Sequence, residues 1–314
     1  MKAIRFHQYG GPEQLVLDDV ATPGIGANEV LVRIHAASVN PADFKFRAGW
    51  FRDFVDLALP FIPGADFSGT VEKVGSQVDG FKPGDDVFGM RDVQAGGSYA
   101  QYIAVSSDSI ALKPKHLSHA EAAAVPLAAL TAWSALFDHA QLKQGQRILI
   151  HAASGGVGTF AVQLAKLAGA EVIATTSTPN VDLVRSLGAD QVIDYRLVDF
   201  ASVVRDVDVV LDALGGEGQA KSMSTLRQNG LIVTLQPPGV DAALAQQMQV
   251  RTALVAVCAN GTRTAELAAL LDKGTLKPVI DQQFPLADAA QAHVRSESGR
   301  TRGKIVLTID QEPE

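Results

Sequence analysis

The sequence is poor in cysteine, since Cys258 is the only one among 314 residues. A single thiol excludes an intramolecular disulfide framework and any zinc site built from several thiolates, and it is typical of a reducing compartment. Because Cys258 lies in the apolar run 254–259, we expect a buried core thiol there.

Long apolar runs and basic clusters are also missing. No segment supplies about 18 uninterrupted apolar residues, and the first six residues, 1–6, lack the apolar stretch of a secretory signal. We therefore expect a cytoplasmic protein that does not enter the membrane. The net charge of −7 and the scattered Lys and Arg residues predict that no nucleic acid is bound.

The bulk composition is that of a folded protein, with 47% hydrophobic and 19% charged residues. A chain of 314 residues exceeds the size at which one hydrophobic core usually keeps growing, so two lobes are expected. We expect order throughout except in the last four residues, 311–314.

The first third of the chain alternates β-rich runs with Gly, Pro and Asp. The runs lie at 29–36, 69–74, 86–90 and 99–105. Pro83-Gly84-Asp85 is a turn by the same chemistry, since proline presets φ and glycine accepts a positive φ. This rhythm predicts a compact, mostly antiparallel β domain over residues 1–119.

After about residue 120 the rhythm changes to strand-sized apolar runs separated by amphipathic helical stretches, which is typical of βαβ units. The predicted strands are 147–151, 171–175, 191–194, 207–212, 231–235 and 254–257, and the predicted helices include 157–167, 181–186 and 221–226. Six such strands indicate a doubly wound nucleotide-binding domain over 120–260. The segment 261–314 holds two β-like runs, 279–284 and 304–309, around a helix at 287–294, and we expect it to return to the first domain.

A glycine-rich turn follows the first of these strands directly. It reads Ala152-Ala153-Ser154-Gly155-Gly156-Val157-Gly158. Gly155 would let the backbone approach a pyrophosphate, Gly158 would let the next helix pack closely, and the helix N-terminus would attract the anion. A glycine-rich turn without a ligand is the alternative, but the strand before it and the helix after it favour a dinucleotide.

The end of the next strand distinguishes the two nicotinamide cofactors. An NAD site normally places a carboxylate there, against the ribose 2′-hydroxyl. Here Thr176, Ser177 and Thr178 follow the strand instead, so a 2′-phosphate would not be repelled and could accept hydrogen bonds. The pattern favours NADPH, although such hydroxyls also serve simply as turn formers.

Several separated motifs resemble one family over essentially the whole chain. They are Ala37-Ser38-Val39-Asn40-Pro41-Ala42-Asp43, Pro63-Gly64-Ala65-Asp66-Phe67-Ser68-Gly69, Pro83-Gly84-Asp85, Leu130-Thr131-Ala132-Trp133, the turn at 152–158, Leu187-Gly188-Ala189-Asp190, Ile193-Asp194-Tyr195 and Arg302-Gly303-Lys304. The chain is similar to the zinc-independent medium-chain dehydrogenase/reductases, in the quinone oxidoreductase and alkenal or enone reductase branch. The resemblance implies an α/β protein with a GroES-like catalytic domain and a Rossmann domain, and often a homodimer.

The resemblance also implies which residues contact the cofactor. They are Thr131, Ser154, Gly155, Gly156, Val157, Gly158, Thr176, Ser177, Tyr195, Ala213, Leu214 and Lys304. Relatives often carry a Lys where Asn180 stands, so Ser177 and Tyr195 are left to hold a 2′-phosphate.

Zinc ligands are missing from the matching positions. Metal-dependent relatives have a Cys in the place of Asn40 and Gly-His-Glu in the place of Gly64-Ala65-Asp66, so two of the ligand types that zinc favours are absent. A metal-free enzyme of this kind is suited to an apolar, electron-poor acceptor, a quinone or an α,β-unsaturated carbonyl, which accepts hydride while a hydrogen-bond donor stabilises the charge on oxygen.

Three residues are candidates for the chemistry. The Asn40 amide can hydrogen-bond the acceptor carbonyl or the nicotinamide ribose, or it is simply a turn residue before Pro41. The Lys45 ammonium can stabilise an enolate or deliver a proton, or it is an ordinary exposed lysine. Asp43 either orients Lys45 or caps a local turn.

Aromatic residues make up only 6% of the chain, yet they crowd one short interval. Phe44, Phe46, Trp50, Phe51, Phe54 and Phe61 either wall a flat apolar pocket or pack in the core.

The leading hypothesis is therefore an NADPH-dependent reductase of quinones or enones. A non-catalytic NADPH-binding redox sensor or structural protein shares the glycine turn but needs no donor near the nicotinamide. A zinc alcohol dehydrogenase is the third hypothesis, and it requires a bound metal.

Overall fold

The computed structural model describes residues 1–309, so our expectation for 311–314 lies outside the described part. The chain forms two compact units. The first unit comprises Met1–Leu127 together with the chain from Cys258 onward, and the second comprises Ala128–Val257.

The first unit is built mainly on one mixed sheet of seven strands. Its elements before residue 128 are β1 (Lys2–Arg5), β2 (Val16–Asp19), β3 (Glu29–Val39), α1 (Pro41–Arg47), β4 (Asp66–Val74), β5 (Asp86–Met90), β6 (Tyr102–Ser106), β7 (Ile110–Leu112) and α2 (His119–Ala123), with short 3₁₀ turns at Pro12–Gln14 and Ser107–Ser109. Strands β3 to β7 pair antiparallel, which confirms the predicted antiparallel β domain. Its core includes Phe6, Val32 and Phe67.

The second unit holds a six-stranded parallel sheet in the order β10-β9-β8-β11-β12-β13. Its elements are α3 (Pro126–Trp133), a π-helical turn (Ser134–His139), β8 (Arg147–Ile150), α4 (Gly156–Leu167), β9 (Glu171–Thr176), a 3₁₀ turn (Thr178–Asn180), α5 (Val181–Ser186), β10 (Gln191–Asp194), α6 (Phe200–Val203), β11 (Val207–Asp212), α7 (Gly218–Met223), β12 (Leu226–Thr234), α8 (Ala242–Gln247) and β13 (Arg251–Leu254). This is the doubly wound strand order: the first three strands extend the sheet to one side, and the next three extend it to the other side from the point between β8 and β11. The predicted doubly wound domain is confirmed.

The last described segment returns to the first unit's sheet. It contains α9 (Gly261–Asp272), β14 (Ile280–Pro285), a 3₁₀ turn (Leu286–Asp288), α10 (Ala289–Glu297) and β15 (Lys304–Thr308). β15 pairs antiparallel with β3, with Ile305 opposite Val39, and β14 pairs parallel with β15. The nucleotide-binding unit is thus inserted between two parts of one domain.

Two details differ from the sequence-based expectations. Residues 120–127, which we assigned to the nucleotide-binding domain, belong to the first unit because α2 packs against β3 and β4. The sixth parallel strand is Arg251–Leu254 rather than 254–257, because its partner β12 ends at Thr234, which pairs with Leu254.

The expectation of a buried thiol at Cys258 is wrong, since Cys258 is exposed. It follows the edge strand β13, beyond the last residue that pairs with β12. An apolar sequence run does not by itself place a residue in the core, because a strand at a sheet edge leaves its neighbours uncovered.

The helices of residues 1–309 include none with the length and apolar character needed to cross a membrane.

Candidate functional site

The glycine-rich turn joins β8 to α4 at the carboxyl end of the parallel sheet. Gly155 is the N-cap residue of α4 and supplies no capping side chain, so the first-turn N–H groups remain available to an anion. A Cβ atom on Gly158 would lie 2.3 Å from the Ala152 carbonyl oxygen and 2.7 Å from the Ala153 Cα. Only glycine therefore allows α4 to approach the strand end this closely.

A set of hydroxyl groups lies beside this turn. Ser154 Oγ accepts hydrogen bonds from Thr176 Oγ1 at 2.9 Å and from Asn180 Nδ2 at 3.2 Å. Asn180 Nδ2 also donates to Ser177 Oγ at 3.2 Å. Asn180 therefore does not provide a cation for a 2′-phosphate, but its amide orients the hydroxyls that are left.

An exposed arginine that was not among our candidates, Arg196, follows the end of the neighbouring strand β10. Tyr195 N–H donates to the Thr176 carbonyl oxygen at 3.1 Å, which ties the ends of β9 and β10 together. Tyr195 is 56% exposed, and the next residue, Arg196, is also exposed. The signal available in the sequence was only the position of Arg196, directly after the strand end.

The loop after β11 carries the other predicted cofactor contacts, Ala213 and Leu214. Asp212, at the end of the strand, is buried and accepts hydrogen bonds from the N–H groups of Leu214 and Gly215, each at 3.0 Å. Gln219 Nε2 donates to the same carboxylate at 2.9 Å. Asp212 was not among our candidates, and its role is to hold the loop in shape.

Most of the predicted cofactor residues therefore meet at one edge of one sheet. The residues at or directly after the ends of β8, β9, β10 and β11 are those at 154–158, Thr176, Ser177, Tyr195, Ala213 and Leu214. Thr131 lies apart from this edge in sequence, on α3, where it is buried.

Lys304 belongs to the first unit, where it forms a buried cluster with Asn40 and Asp66. Its Nζ donates to Asn40 Oδ1, to the Val39 carbonyl oxygen at 3.3 Å and to Asp66 Oδ2 at 3.4 Å. Asn40 Nδ2 donates to the same Asp66 oxygen at 3.0 Å. These contacts fix the Asn40 amide, with its oxygen towards the cation and its nitrogen towards the carboxylate.

Asp66 is the residue that keeps this cluster in place. In addition to Asn40 and Lys304, it accepts hydrogen bonds from Ser38 Oγ at 2.6 Å and from the Leu127 N–H at 2.8 Å. The carboxylate is completely buried, and an unpaired buried charge would be costly. Lys304 must therefore balance the charge of Asp66 if Asp66 is to hold Asn40 in this orientation.

The cluster does not fit a zinc ion. Its donors are an amide, a carboxylate and a backbone carbonyl, without the thiolate or imidazole that zinc favours. The Lys304 ammonium also lies 3.4 Å from the Asp66 carboxylate, where it would repel a second cation. Among residues 1–309, no group of three or more His, Cys, Asp or Glu side chains is arranged to hold a metal.

Asn40 and Asp43 together begin α1. Asn40 occupies the N-cap position before Pro41, and its side-chain nitrogen is held by Asp66. Asp43, the third residue of the helix, reaches back in a capping box: its Oδ2 accepts the Asn40 backbone N–H at 2.8 Å, and it also accepts the Tyr99 hydroxyl at 3.0 Å. Of our two alternatives for Asp43, the geometry matches a cap. Burial raises the pKa of the Asp43 carboxyl to about 7.

Lys45 is half-buried on the same helix, and burial lowers the pKa of its ammonium. Its Nζ lies 5.7 Å from the centre of the Trp50 ring, close enough for a cation–π interaction. Phe44 meets the same indole edge-on, with 6.1 Å between ring centroids.

The aromatic residues at 44–61 divide between core positions and exposed positions. Phe46, Phe51 and Phe61 pack with the core of the first unit. Trp50 and Phe54 are 63% and 86% exposed. These two exposed rings are the ones left for contact with another molecule.

Two family models match the chain. One is described as an alcohol dehydrogenase GroES-like domain and covers residues 26–115, and the other is described as a zinc-binding dehydrogenase and covers residues 187–307. The chain is 39% identical over 322 residues to the 2-methylene-furan-3-one reductase of Solanum lycopersicum, a match that covers 98% of this chain and 79% of that protein. The chain belongs to the medium-chain dehydrogenase/reductase family.

Solved structures agree over the whole length. The quinone oxidoreductase from Coxiella burnetii is similar at a TM-score of 0.91 and 37% identity, with 99% of each chain covered. The Escherichia coli quinone oxidoreductase complexed with NADPH is similar at a TM-score of 0.90 and 31% identity, with 98% of this chain and 100% of that chain covered. Both lie in the quinone oxidoreductase branch that the motifs indicated.

The close approach of α4 can be tested with a single methyl group. We expect Gly158→Ala to weaken NADPH binding by about tenfold or more, because the methyl must displace α4 or the turn. The dissociation constant is measured by fluorescence titration. Gly218→Ala is the matched control, since a Cβ there meets nothing within 4 Å; equal affinity in both variants would show that the turn does not bind the cofactor.

Proposed function

We propose that this protein is a metal-independent, NADPH-dependent oxidoreductase that transfers hydride to a quinone or an α,β-unsaturated carbonyl. The observation that carries the proposal is the buried cluster of Asn40, Asp66 and Lys304. In it, an amide and a carboxylate, Asn40 and Asp66, stand at positions where metal-dependent relatives have a Cys and a Glu, and the Lys304 ammonium hydrogen-bonds to both. A protein that only stored or sensed NADPH would have no need of a hydrogen-bond donor held this rigidly.

The second unit would hold the cofactor by its phosphates. The first turn of α4 offers N–H groups to the pyrophosphate. Ser177, Tyr195 and Arg196 lie at the ends of adjacent strands, where hydroxyl and guanidinium groups can bind the 2′-phosphate. NADPH, when bound, supplies the hydride.

The first unit would stabilise the acceptor. Asn40 Nδ2 has two N–H groups, of which Asp66 accepts one. We assign the second to the acceptor's carbonyl oxygen, where negative charge develops as hydride adds to the β-carbon or to the quinone ring. Lys45, with its lowered pKa, is suited to deliver the proton that completes the reduction.

The acceptor class follows from these groups. An amide N–H and an ammonium stabilise an enolate or a hydroquinone anion, both of which are much weaker bases than an alkoxide. The relative from Solanum lycopersicum is named for an acceptor in which a methylene group is conjugated to a ketone, and the structural relatives are named for quinones. The exposed rings of Trp50 and Phe54 suit flat, apolar molecules of this kind.

We further propose that the protein is a homodimer joined along β13. This strand forms one of the two edges of the parallel sheet, and Leu254 on it is 41% exposed. An uncovered edge strand readily pairs with another strand. Cytoplasmic localisation and the lack of a nucleic-acid partner stay predictions from the sequence.

Turnover distinguishes an enzyme from a protein that only binds NADPH. We expect NADPH oxidation with a benzoquinone and with a short alkenone, but not with the matching saturated ketone, and no effect of a chelator. Asn40→Ala should lower kcat/KM by about 10²-fold, as for loss of an oxyanion donor. Asn28→Ala, at an exposed position, is the control.

Two results would contradict this proposal in different ways. Tight NADPH binding without turnover of any acceptor would indicate a non-catalytic protein. Turnover that is unchanged in Asn40→Ala would leave the enzyme but remove Asn40 from its mechanism.

Cofactor preference tests the residues at the ends of β9 and β10. We expect Ser177→Asp and Arg196→Gln each to raise the KM for NADPH by about tenfold, since each change weakens binding of the 2′-phosphate by about 1.4 kcal/mol. The KM for NADH should stay the same or fall. Arg227→Gln, at the start of β12, is the charge-matched control, and a parallel rise in both KM values would argue against a 2′-phosphate site.

The oligomeric state tests the role of β13. We expect a dimer by sedimentation equilibrium at micromolar concentration, and a monomer for Leu254→Lys, because the charge would be buried at the new interface. Val203→Lys, on the exposed surface of α6, is the control. A monomeric wild-type protein, or a dimer that Leu254→Lys leaves intact, would rule out this interface.

A further inference from the structure

A network of four buried, hydrogen-bonded polar side chains connects α1 to α10 inside the first unit. Arg47 Nη1 lies 3.2 Å from His293 Nδ1, His293 Nε2 lies 3.2 Å from the Tyr99 hydroxyl, and that hydroxyl lies 3.0 Å from Asp43 Oδ2. All four side chains are at least 97% buried. Three of them, Arg47, Tyr99 and His293, were not among our candidates.

The direction of each hydrogen bond follows from the chemistry of Arg47. A guanidinium only donates, so His293 Nδ1 must be the acceptor and the ring proton must be on Nε2. The ring is neutral, since burial lowers the pKa of His293 to about 3. His293 Nε2–H therefore donates to the Tyr99 oxygen, and the Tyr99 hydroxyl in turn donates to Asp43.

Both ends of this network are anchored by further hydrogen bonds. Arg47 Nη2 donates to Glu297 at 2.6 Å, and its Nε donates to the Gly10 carbonyl oxygen at 3.1 Å. At the other end, Asp43 Oδ2 receives the Asn40 N–H as well as the Tyr99 hydroxyl. Asp43 is thus required as an acceptor from two sides, which favours its ionised form.

We propose that Arg47, His293 and Tyr99 are positioning residues which, through Asp43, hold the backbone of Asn40 so that its amide points at the acceptor. This proposal rests on the proposed function, because it holds that the network serves to orient Asn40 for catalysis. Asp43 holds Asn40 by the backbone, and Asp66 with Lys304 holds it by the side chain. Two independent anchors on one residue leave its amide little freedom.

The burial of Asp43 argues against a purely stabilising role. Burying an ion without excellent compensation costs free energy that an apolar residue would not. The charged and polar groups that face Asp43 are Tyr99, the Asn40 N–H, Lys304, which favours the ionised carboxylate, and Asp66, which disfavours it. The pKa of Asp43 stays above its ordinary value of 3.8, so its ionisation opposes folding as the pH rises towards about 7.

The consequence for activity has a definite sign. Protonation of Asp43 removes the negative charge from the oxygen that accepts the Asn40 N–H, which weakens this anchor, so kcat should fall on the acid side of the Asp43 pKa. Loss of the Tyr99 hydroxyl removes a donor that stabilises the carboxylate, and the pKa of Asp43 should therefore rise further.

The test uses the full-length protein and two substitutions at His293. His293→Gln can still accept from Arg47 and donate to Tyr99, whereas His293→Leu can do neither. Tyr99→Phe removes the hydroxyl that joins His293 to Asp43, and Tyr102→Phe, on β6, is the matched control. The Asp43 carboxyl is titrated by carbon NMR, with the signal assigned through Asp43→Asn, and kcat and KM are measured against pH.

We expect Tyr99→Phe and His293→Leu to move the Asp43 titration and the acid limb of kcat upward together, by roughly one pH unit. At the pH optimum kcat should fall by about tenfold through misorientation of Asn40, with the dissociation constant for NADPH unchanged. His293→Gln and Tyr102→Phe should resemble the wild type. If His293→Leu does not fold, Tyr99→Phe alone carries the comparison with Tyr102→Phe.

Two outcomes overturn the proposal. One is an Asp43 titration that does not move in Tyr99→Phe, and the other is a shifted titration with an unchanged kcat profile. The NMR titration needs no acceptor, so failure of the proposed reductase activity would be recognised separately, by absent turnover in the wild type.

Discussion

The hydrogen bonds of Lys304 to Asn40 and Asp66 are the interaction on which the rest of the site depends. They join residues 264 and 238 positions apart in the chain, and they exist only because the chain returns, after the inserted unit, to form β15 and pair it with β3. The register of that pairing, with Ile305 opposite Val39, places Lys304 beside Asn40, which lies between β3 and α1. The topology of the fold therefore determines which side chains meet in the site.

This arrangement also explains how a family with metal-dependent members can include a chain without the ligands. A buried carboxylate at position 66 needs a positive partner whatever the chemistry of the enzyme. Here the partner is an ammonium carried by a strand of the same sheet. A covalently held cation cannot polarise a substrate by direct coordination, but it can fix the orientation of the amide beside it. Hydrogen bonds, rather than a metal ion, then stabilise the charge that develops on the acceptor oxygen, which suits acceptors that are already electron-poor.

Local features were predictable from the sequence. The close packing at Gly158 followed from the spacing of three glycines between a strand and a helix, since every atom involved lies within a few residues. The β8 to α4 turn, the predicted strand 86–90 and the predicted helix 181–186 agree with the structure for the same reason. Patterns of this range depend on backbone conformation and on alternation of apolar residues, both of which are properties of the local sequence.

Contacts made by single residues over long distances were not predictable in this way. Arg47 and His293 have no motif around them, and only the packing of α10 against α1 makes them partners. Cys258 was misjudged because an apolar run does not reveal that its strand lies at a sheet edge. The role of Asn40 stayed open between a turn and a donor, and the structure shows a residue at the turn whose side chain is used elsewhere.

The sequence by itself determined the class of protein, the two kinds of unit and the place of the dinucleotide turn, because composition, periodicity and short motifs are enough for these. Only the tertiary structure decided which side chains surround Asn40, which way its amide points and what balances Asp66. The reason is physical: hydrogen-bond direction and charge compensation depend on distances of a few ångströms between residues that are far apart in the sequence, and strand pairing and helix packing set those distances.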